Sequence, residues 1–141
     1  MQARRGSQVK IEYRPPSPEE YRSLREAVGW WPIEQTFTEQ ALRRALFSVV
    51  GIQDGRVVGV GRVVGDGGLY YYLQDVMVIP SCQGQGIGKE IISHLMTYIQ
   101  ENAPKGAFVG LMAAKGLQTY YEGFGFQARA IDAPGMFQVV R

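Results

Sequence analysis

Cysteine and histidine are almost absent from this chain of 141 residues, which contains one of each, Cys82 and His94. A single cysteine excludes an internal disulfide and any metal site built from several cysteines. No histidine is close in sequence to activate Cys82 as a nucleophile, so we interpret it as a packing residue. We expect no bound metal.

Long hydrophobic runs are also lacking. No stretch approaches the ~20 apolar residues that a membrane span requires. The segment Met1–Gly6 contains arginines but is not followed by an apolar segment, so it does not form a secretory signal. We therefore expect a cytoplasmic protein with no membrane partner.

Charge of one sign is not concentrated anywhere in the chain. The net charge is +2, and the basic residues are scattered rather than clustered. Nucleic-acid binding would require a basic patch, so we expect no nucleic-acid partner. A chain of this length buries roughly two thirds of its unfolded surface, which suffices for one domain spanning residues 1–141 without cross-links.

Helix and strand signals alternate along the chain in the manner of an α+β protein. Asp54-Gly55 is a strong hairpin signal between two β-rich segments. The predicted helices are 17–28, one starting at 38, 87–102 and 116–124, and the predicted strands are 9–14, 47–53, 56–64, 70–79, 107–112, 126–131 and 136–140.

The segment between the fourth of these strands and the third helix is rich in glycine. It reads Gln83-Gly84-Gln85-Gly86-Ile87-Gly88-Lys89. Glycines at alternate positions let the backbone approach a ligand, and a helix that starts there directs unpaired amides and its positive dipole end at an anion. The segment therefore predicts a phosphate-binding loop.

Two better-known phosphate-binding motifs do not match this loop. In the dinucleotide motif G-x-G-x-x-G, the last glycine would be Lys89 or Ile91. In the nucleotide motif G-x-x-x-x-G-K-[ST], Glu90 replaces the hydroxyl residue and Gln83 replaces the first glycine. Dinucleotide binding and nucleotide hydrolysis are both disfavoured.

The spacing of Gln83, Gly86 and Gly88 resembles the Gln/Arg-x-x-Gly-x-Gly/Ala loop of the GNAT superfamily of acetyltransferases. The segment 120–126, YYEGFGF, is similar to that family's second signature, aromatic-Tyr-Glu-x-x-Gly-Phe. The resemblance implies an α+β GNAT fold, with a mixed, mostly antiparallel central sheet of six to seven strands flanked by about four helices. It also implies an acetyl-CoA-dependent N-acetyltransferase that acts on a primary amine of a small molecule by direct attack in a ternary complex.

The resemblance also implies which residues would bind acetyl-CoA and transfer the acetyl group. Tyr121 would protonate the coenzyme sulfur. The backbone of 75–78 would pair with the pantetheine arm, and an amide near Val76 or Met77 would polarise the thioester carbonyl. The residues expected to contact the cofactor are Val76, Met77, Val78, Gln83, Gly84, Gln85, Gly86, Ile87, Gly88 and Lys89.

The general base and the acceptor site are less constrained. Asp75 is the nearest carboxylate on the fourth strand, with Glu34, Glu39 or a water chain as alternatives. The aromatic residues Trp30, Trp31 and Phe37 lie in the region that covers the acceptor pocket in this family, where Glu34 or Glu39 would hold a cationic nitrogen. Core packing of these rings between the first two helices and the sheet is an equally good interpretation.

Some features leave other functions open. Many family members have an asparagine about seven residues before the tyrosine, where this chain has Ala114-Lys115. A non-catalytic acyl-CoA-binding module and a transferase acting on a protein amine therefore remain alternatives. Exposed strand edges near the C-terminus would permit a homodimer.

Overall fold

The structure is a computed structural model that describes residues 8–141, so the interpretation of Met1–Gly6 lies outside the described residues. The chain forms two compact units, one ending at Val109 and the other comprising Gly110–Arg141. We call them the N-terminal unit and the C-terminal unit and describe each by itself. The expectation of one domain over residues 1–141 stays a prediction.

In residues 8–141 the sheet has five strands in the order β1-β2-β3-β4-β5, and β1 to β4 pair antiparallel. β5 lies beside β4, where the Phe108 amide donates to the Leu69 carbonyl at 2.8 Å. The strand bounds are β1 Lys10–Glu12, β2 Phe47–Gln53, β3 Arg56–Gly65, β4 Tyr70–Val78 and β5 Phe108–Gly110.

Four α-helices occur in the described residues, as expected: α1 Pro18–Ala27, α2 Thr38–Arg43, α3 Ile87–Asn102 and α4 Gln118–Glu122. α3 packs against β2, β3 and β4 through Ile91, Ile92 and Leu95, whose side chains are fully buried. β3 presents Gly61 to this helix, and a Cβ there would lie only 2.6 Å from the Ile91 side chain. The missing side chain therefore allows the helix to approach the sheet closely.

The predicted hairpin turn is confirmed, and β4 contains a bulge. Asp54 and Gly55 both have positive φ, 53° and 79°, as a tight turn between β2 and β3 requires. Further along, Val60 pairs with Met77 and Arg62 pairs with Gln74, so one residue of β3 faces two of β4. The extra residue distorts β4 next to Asp75, whose own φ is +61°.

The expectation of six to seven strands was wrong, since the described part of the chain forms a sheet of five. The predicted strands 126–131 and 136–140 are irregular in the structure. Their apolar side chains Ile131, Met136 and Phe137 are 98%, 83% and 78% exposed. Strand propensity reflects the packing of side chains on one face against their neighbours. These exposed side chains pack against little, so their propensity does not produce a strand.

No helix in residues 8–141 is both long enough and apolar enough to cross a bilayer. Across the same residues, no three side chains of histidine, cysteine, aspartate or glutamate are grouped so that they could hold a metal ion.

Candidate active site

The glycine loop connects β4 to α3 through backbone conformations that only glycine adopts easily. After a short 3₁₀ turn, Pro80–Cys82, the chain is extended at Gln83 and left-handed at Gly84 and Gly86, with φ of 83° and 84°. A Cβ added to either glycine would meet nothing within 4 Å. The glycines are therefore required by the backbone conformation, and the space beside them is open.

The start of α3 supplies a set of amide donors. Gly86 is the N-cap and offers no side chain to bond them, and the Glu90 amide bonds the Gly86 carbonyl at 3.0 Å. The amides of 87–89 precede that bond and have no acceptor within the helix. Together with the positive end of this 16-residue helix, these amides suit a diphosphate.

Side chains around the loop fix its shape. Gln83 Nε2 donates to the Val78 carbonyl at 2.8 Å, which closes the loop onto the end of β4. Gln53 Nε2 donates to Gln85 Oε1 at 2.9 Å, and the buried Cys82 thiol donates to Gln53 Oε1 at 3.2 Å. Gln83 of the predicted motif and Gln85, two residues further on, thus hold the loop, and the interpretation of Cys82 as a packing residue agrees with these contacts.

The last residues of β4 pair with β3 on one side. Val78 lies opposite Gly59, and Met77 lies opposite Val60. β5 has three residues and joins the sheet beside Leu69, just before β4 begins. β5 therefore flanks the start of β4, and no strand among the described residues of the N-terminal unit pairs with the far edge near Val76.

Asp75 lies in the bulge as the acceptor of several hydrogen bonds. Its Oδ2 accepts from the Tyr21 hydroxyl and from Arg62 Nε, both at 2.7 Å, and its Oδ1 accepts from Gln74 Nε2 at 3.2 Å. The Asp75 side chain is 2% exposed and that of Arg62 is 12% exposed. Burial, and then the charge of Asp75, raise the pKa of Tyr21 to about 12, so its hydroxyl remains a donor. The role of Asp75 as a base stays a prediction.

A cavity lies between α1 and the loop that follows it. Arg25 at its wall is buried, and its guanidinium lies 5.4 Å from the Trp30 ring centroid and 5.0 Å from that of Trp31. Arg25 Nη2 also donates to the Trp31 carbonyl at 2.7 Å. The cavity has a volume of about 260 Å³, and its lining includes Arg22, Arg25, Glu26, Trp30, Trp31 and Ile33.

The other predicted acceptor residues do not line this cavity. The Glu34 carboxylate accepts from the Thr36 amide at 3.0 Å and caps the 3₁₀ turn Gln35–Phe37. This hydrogen bond from the Thr36 amide lowers the pKa of Glu34. Phe37 is 65% exposed, and Glu39 lies exposed in the first turn of α2. The structure therefore groups Trp30 with Trp31 and places Glu34 and Phe37 apart from their cavity.

Tyr121 belongs to the C-terminal unit. It is buried in α4, where its ring lies edge-on to those of Tyr120 and Phe126 at centroid distances of 5.5 and 6.2 Å. Burial raises the pKa of Tyr121, so the phenol stays protonated at neutral pH, as a proton donor must be.

Tyr21, Arg25 and Arg62 were missed as site residues. Tyr21 and Arg25 are four residues apart, so they share a face of α1, and that face is buried beside Leu24. The available signal in the sequence was the position of Arg25, four residues after Tyr21 on the face of α1 that carries Leu24. Asp75, the hydrogen-bond partner of Tyr21, lies 54 residues further along the chain, and no local pattern relates positions so distant.

Comparisons with known proteins place these features in one family. Residues 17–137 match a family described as acetyltransferase (GNAT) domain. The structure of a probable acetyltransferase of unknown function from meticillin-resistant Staphylococcus aureus is 35% identical and superposes with a TM-score of 0.88, covering 94% of this chain and 100% of that one.

Curated relatives are similar over part of their length. Serotonin N-acetyltransferase 2 of Oryza sativa subsp. japonica, a chloroplastic protein, is 33% identical over 62% of this chain and 47% of that protein. Histone acetyltransferase TAP1 of Glycine max is 32% identical over 62% of this chain and 37% of that protein. The matched region therefore spans less than half the length of either relative.

Proposed function

Because this chain belongs to the GNAT acetyltransferases and is an acyltransferase enzyme, we propose that it moves an acetyl group from acetyl-CoA to the primary amine of a small molecule. The observation that carries the proposal is the loop with left-handed Gly84 and Gly86 at the uncapped start of α3. A donor set of this kind suits the diphosphate of a coenzyme. Acetyl-CoA, when bound, supplies the activated thioester.

The loop and the end of β4 would hold the coenzyme. Backbone amides of 83–89 would bind its diphosphate, since the glycines leave open space beside them. The unpaired edge near Val76 would accept the pantetheine arm as an added strand, because main-chain groups of an open edge bond an extended ligand. Lys89, exposed in the first turn of α3, adds positive charge near the same amides.

The transfer needs a donor to the carbonyl oxygen and an acid for the sulfur. An amide near Val76 or Met77 would donate to the oxygen as the C–N bond forms and the C–S bond breaks, a contribution typically worth ~3 kcal/mol. Tyr121, kept protonated by its burial, would give its phenol proton to the departing thiolate. The amine loses one proton in the same reaction, so a base must take it.

Asp75 is the proposed base on the strand, and its contacts suggest a specific test. A carboxylate that accepts from Arg62 and Tyr21 would have to exchange one of these bonds for the amine proton. The Asp75→Asn variant keeps the size of the side chain and removes the base. Loss of the acidic limb of the pH–rate profile would support a base at Asp75, whereas an unchanged limb at reduced rate would assign proton removal to Glu34, Glu39 or a water chain.

The cavity between α1 and the following loop favours an aromatic or apolar amine. Two indole rings and Ile33 supply apolar surface, and Glu26 is an acidic group that would attract an ammonium. Arg22 and Arg25 also line the cavity, so an ammonium would have to lie on the Glu26 side of it. The name of the serotonin N-acetyltransferase relative supports the same ligand class.

A protein amine is the second candidate acceptor, because another relative is named a histone acetyltransferase. The lining of the cavity favours the small aromatic amine over a lysine side chain, which has no ring to stack on an indole. A cytoplasmic location and a homodimer stay predictions.

Two measurements on the purified chain test the proposal. In a thermal-shift titration, acetyl-CoA at a hundred times its dissociation constant should stabilise the protein by ~2.7 kcal/mol. Release of free thiol should then be followed with arylalkylamines, aliphatic polyamines and a histone-tail peptide. The absence of any stabilisation by millimolar acetyl-CoA would reject the proposal, and binding without transfer to any amine would favour the non-catalytic module.

A further inference from the structure

We propose that Arg25, Tyr21, Asp75 and Arg62 form one positioning network that couples the Trp30–Trp31 cavity to the bulge of β4. Alignment of the thioester and binding of the acceptor would then depend on each other. The proposal rests on the proposed function, since it concerns the same site. We call these four residues the coupling network.

Hydrogen bonds join the coupling network in sequence across four elements. Arg25 Nη2 donates to the carbonyl of Trp31 at 2.7 Å, and Arg25 Nη1 donates to the Tyr21 hydroxyl at 3.4 Å. That hydroxyl donates to Asp75 Oδ2 at 2.7 Å, and Arg62 Nε donates to the same oxygen at 2.7 Å. The contacts thus run from the loop after α1, through α1, to β4 and β3.

These groups are shielded from water, which makes their mutual orientation strict. Arg25, Tyr21 and Asp75 are 6%, 5% and 3% exposed. In such surroundings a charged group keeps its partners, because leaving one unsatisfied is costly. A displacement at one end of the coupling network is therefore transmitted to the other rather than absorbed by solvent.

At the β4 end, the coupling network holds a backbone conformation that is unfavourable for its residue. Asp75 has φ of +61°, and the bulge leaves it and Val76 opposite one residue of β3. Such a conformation persists when surrounding contacts enforce it. Tyr21 and Arg62 supply that enforcement through the carboxylate, and they thereby set the direction of the next amide, which is proposed to bond the thioester oxygen.

At the cavity end, the coupling network holds the loop that carries both indoles. The Arg25 guanidinium lies within 5.6 Å of the ring centroids of Tyr21, Trp30 and Trp31. Its Nε has no hydrogen-bond partner among the described residues, so two hydrogen bonds and three rings determine its position. Removing the Tyr21 hydroxyl takes away one of those bonds and frees the guanidinium to shift against the indoles.

Tryptophan fluorescence reads this coupling without requiring activity. Trp30 and Trp31 are the two tryptophans of the chain, so the emission reports on the cavity wall. Binding of acetyl-CoA to the wild-type protein should change the emission through the bulge. Tyr21→Phe keeps the ring, and Asp75→Asn alters only the β4 end of the coupling network. In both variants the change of emission on acetyl-CoA binding should shrink at least about fivefold, within the usual range of coupling between sites.

Kinetics supply a second readout that separates coupling from general destabilisation. With acetyl-CoA saturating, Tyr21→Phe should raise the acceptor KM and lower kcat. The two effects together should lower kcat/KM about tenfold, because the variant loses a hydrogen bond to a charged group. Tyr98→Phe is the matched control, because its ring stacks on Phe47 and the stack survives the change. Tyr98→Phe should leave fluorescence and kinetics as in the wild type.

The outcomes distinguish the coupling network from a packing role and from failure of the proposed function. A lowered melting temperature with wild-type fluorescence response and acceptor KM in both variants would overturn the coupling. If Tyr21→Phe does not fold, Arg25→Lys, which keeps the charge and loses the fork, should show the same loss of response. If no amine is acetylated but the fluorescence response depends on Tyr21, the coupling stands and the proposed acceptor fails.

Discussion

The glycine loop and the Trp30–Trp31 cavity are built by opposite means. The loop presents backbone amides, and its side chains Gln83 and Gln85 form hydrogen bonds that hold its shape. The cavity is formed by side chains of α1 and of the loop that follows it, held through Arg25. A binding site made of backbone amides tolerates any sequence that preserves its conformation, whereas a site made of side chains changes with each substitution. The loop therefore suits a cofactor that many enzymes share, and the cavity suits a particular acceptor.

Tyr121→Phe should have the largest effect, and it tests whether the chemistry is separate from both regions. Loss of a general acid should lower kcat at least about a hundredfold, while the acetyl-CoA affinity and the acceptor KM stay unchanged. Because burial raises the pKa of Tyr121, the wild-type rate should not fall in alkaline solution until the pH exceeds the ordinary tyrosine value of about 10. Steady-state kinetics between pH 6 and about 10 check both statements.

Tyr120→Phe is the matched control, since the neighbouring ring loses its hydroxyl and keeps its contacts with Tyr121 and Phe124. A wild-type kcat in Tyr121→Phe would remove that phenol from the mechanism. An equal loss in both variants would show that the pair acts through packing.

Gly86→Val comes next and tests the backbone-built side of the comparison. A β-branched residue is a conformational outlier at the φ of 84° that Gly86 adopts. The loop amides should lose their arrangement, and acetyl-CoA affinity should fall about thirtyfold, equivalent to ~2 kcal/mol. Isothermal titration with coenzyme A measures this directly, and the environment of the indoles should not change.

Gly106→Val is the control for strain alone. Gly106 also has positive φ, 93°, and a Cβ there would meet nothing within 4 Å, but it lies in the turn between α3 and β5. It should lose stability by a similar amount and keep its affinity for coenzyme A. Equal affinities in the two variants would mean that the loop is not the diphosphate site.

The same contrast explains how much of the fold and site was predictable. The spacing of glycines indicates the local backbone conformation. The sequence therefore predicted three features: the glycine loop, the Asp54-Gly55 turn and the start of α3 at Ile87. Helical periodicity likewise placed the end of α3 at residue 102. These features depend on local rules.

Features that depend on distant contacts were not predictable. The segments 126–131 and 136–140 have strand propensity, but their exposure shows that propensity without a packed face does not make a strand. The contact of Tyr21 with Asp75 joins α1 to a bulge, and neither end is unusual in its own sequence context. The partners that hold the bulge, Tyr21 and Arg62, were not predicted from the sequence.

Trp31→Ala tests the side-chain-built region and should have a smaller effect than the loop substitution. The ring is 57% exposed and lines the cavity, so its removal should raise the acceptor KM about fivefold with little change in acetyl-CoA affinity. Phe37→Ala is the control, because that ring is 65% exposed and does not line the cavity. Equal effects of the two substitutions on KM would place the acceptor elsewhere.

Ser17→Ala should have the smallest effect. It should act on the acceptor cavity indirectly, through the stability of helix α1. The Ser17 hydroxyl accepts from the Glu20 amide at 3.1 Å, and Glu20 Oε1 accepts from the Ser17 amide at 2.8 Å, so the two form a capping box. Loss of the cap should lower the free energy of unfolding by ~1 kcal/mol, measured by urea denaturation, whereas Ser93→Ala on the exposed surface of α3 should be neutral.

The pH dependence of this last substitution follows from Glu20. Burial alone would raise the pKa of Glu20, but the hydrogen bonds from Arg14 and from the Ser17 amide lower it. A carboxyl whose folded pKa is depressed stabilises the fold above its unfolded pKa of about 4.3 and loses that contribution as the pH falls through the folded value. Alanine at position 17 keeps the backbone amide and the Arg14 contacts of Glu20, so the wild-type protein and Ser17→Ala should both lose the Glu20 contribution in acid, and the difference between them should change little with pH. Because α1 carries Tyr21 and Arg25, any functional loss should fall on the acceptor KM, and a loss of coenzyme A affinity instead would contradict the division between the two regions.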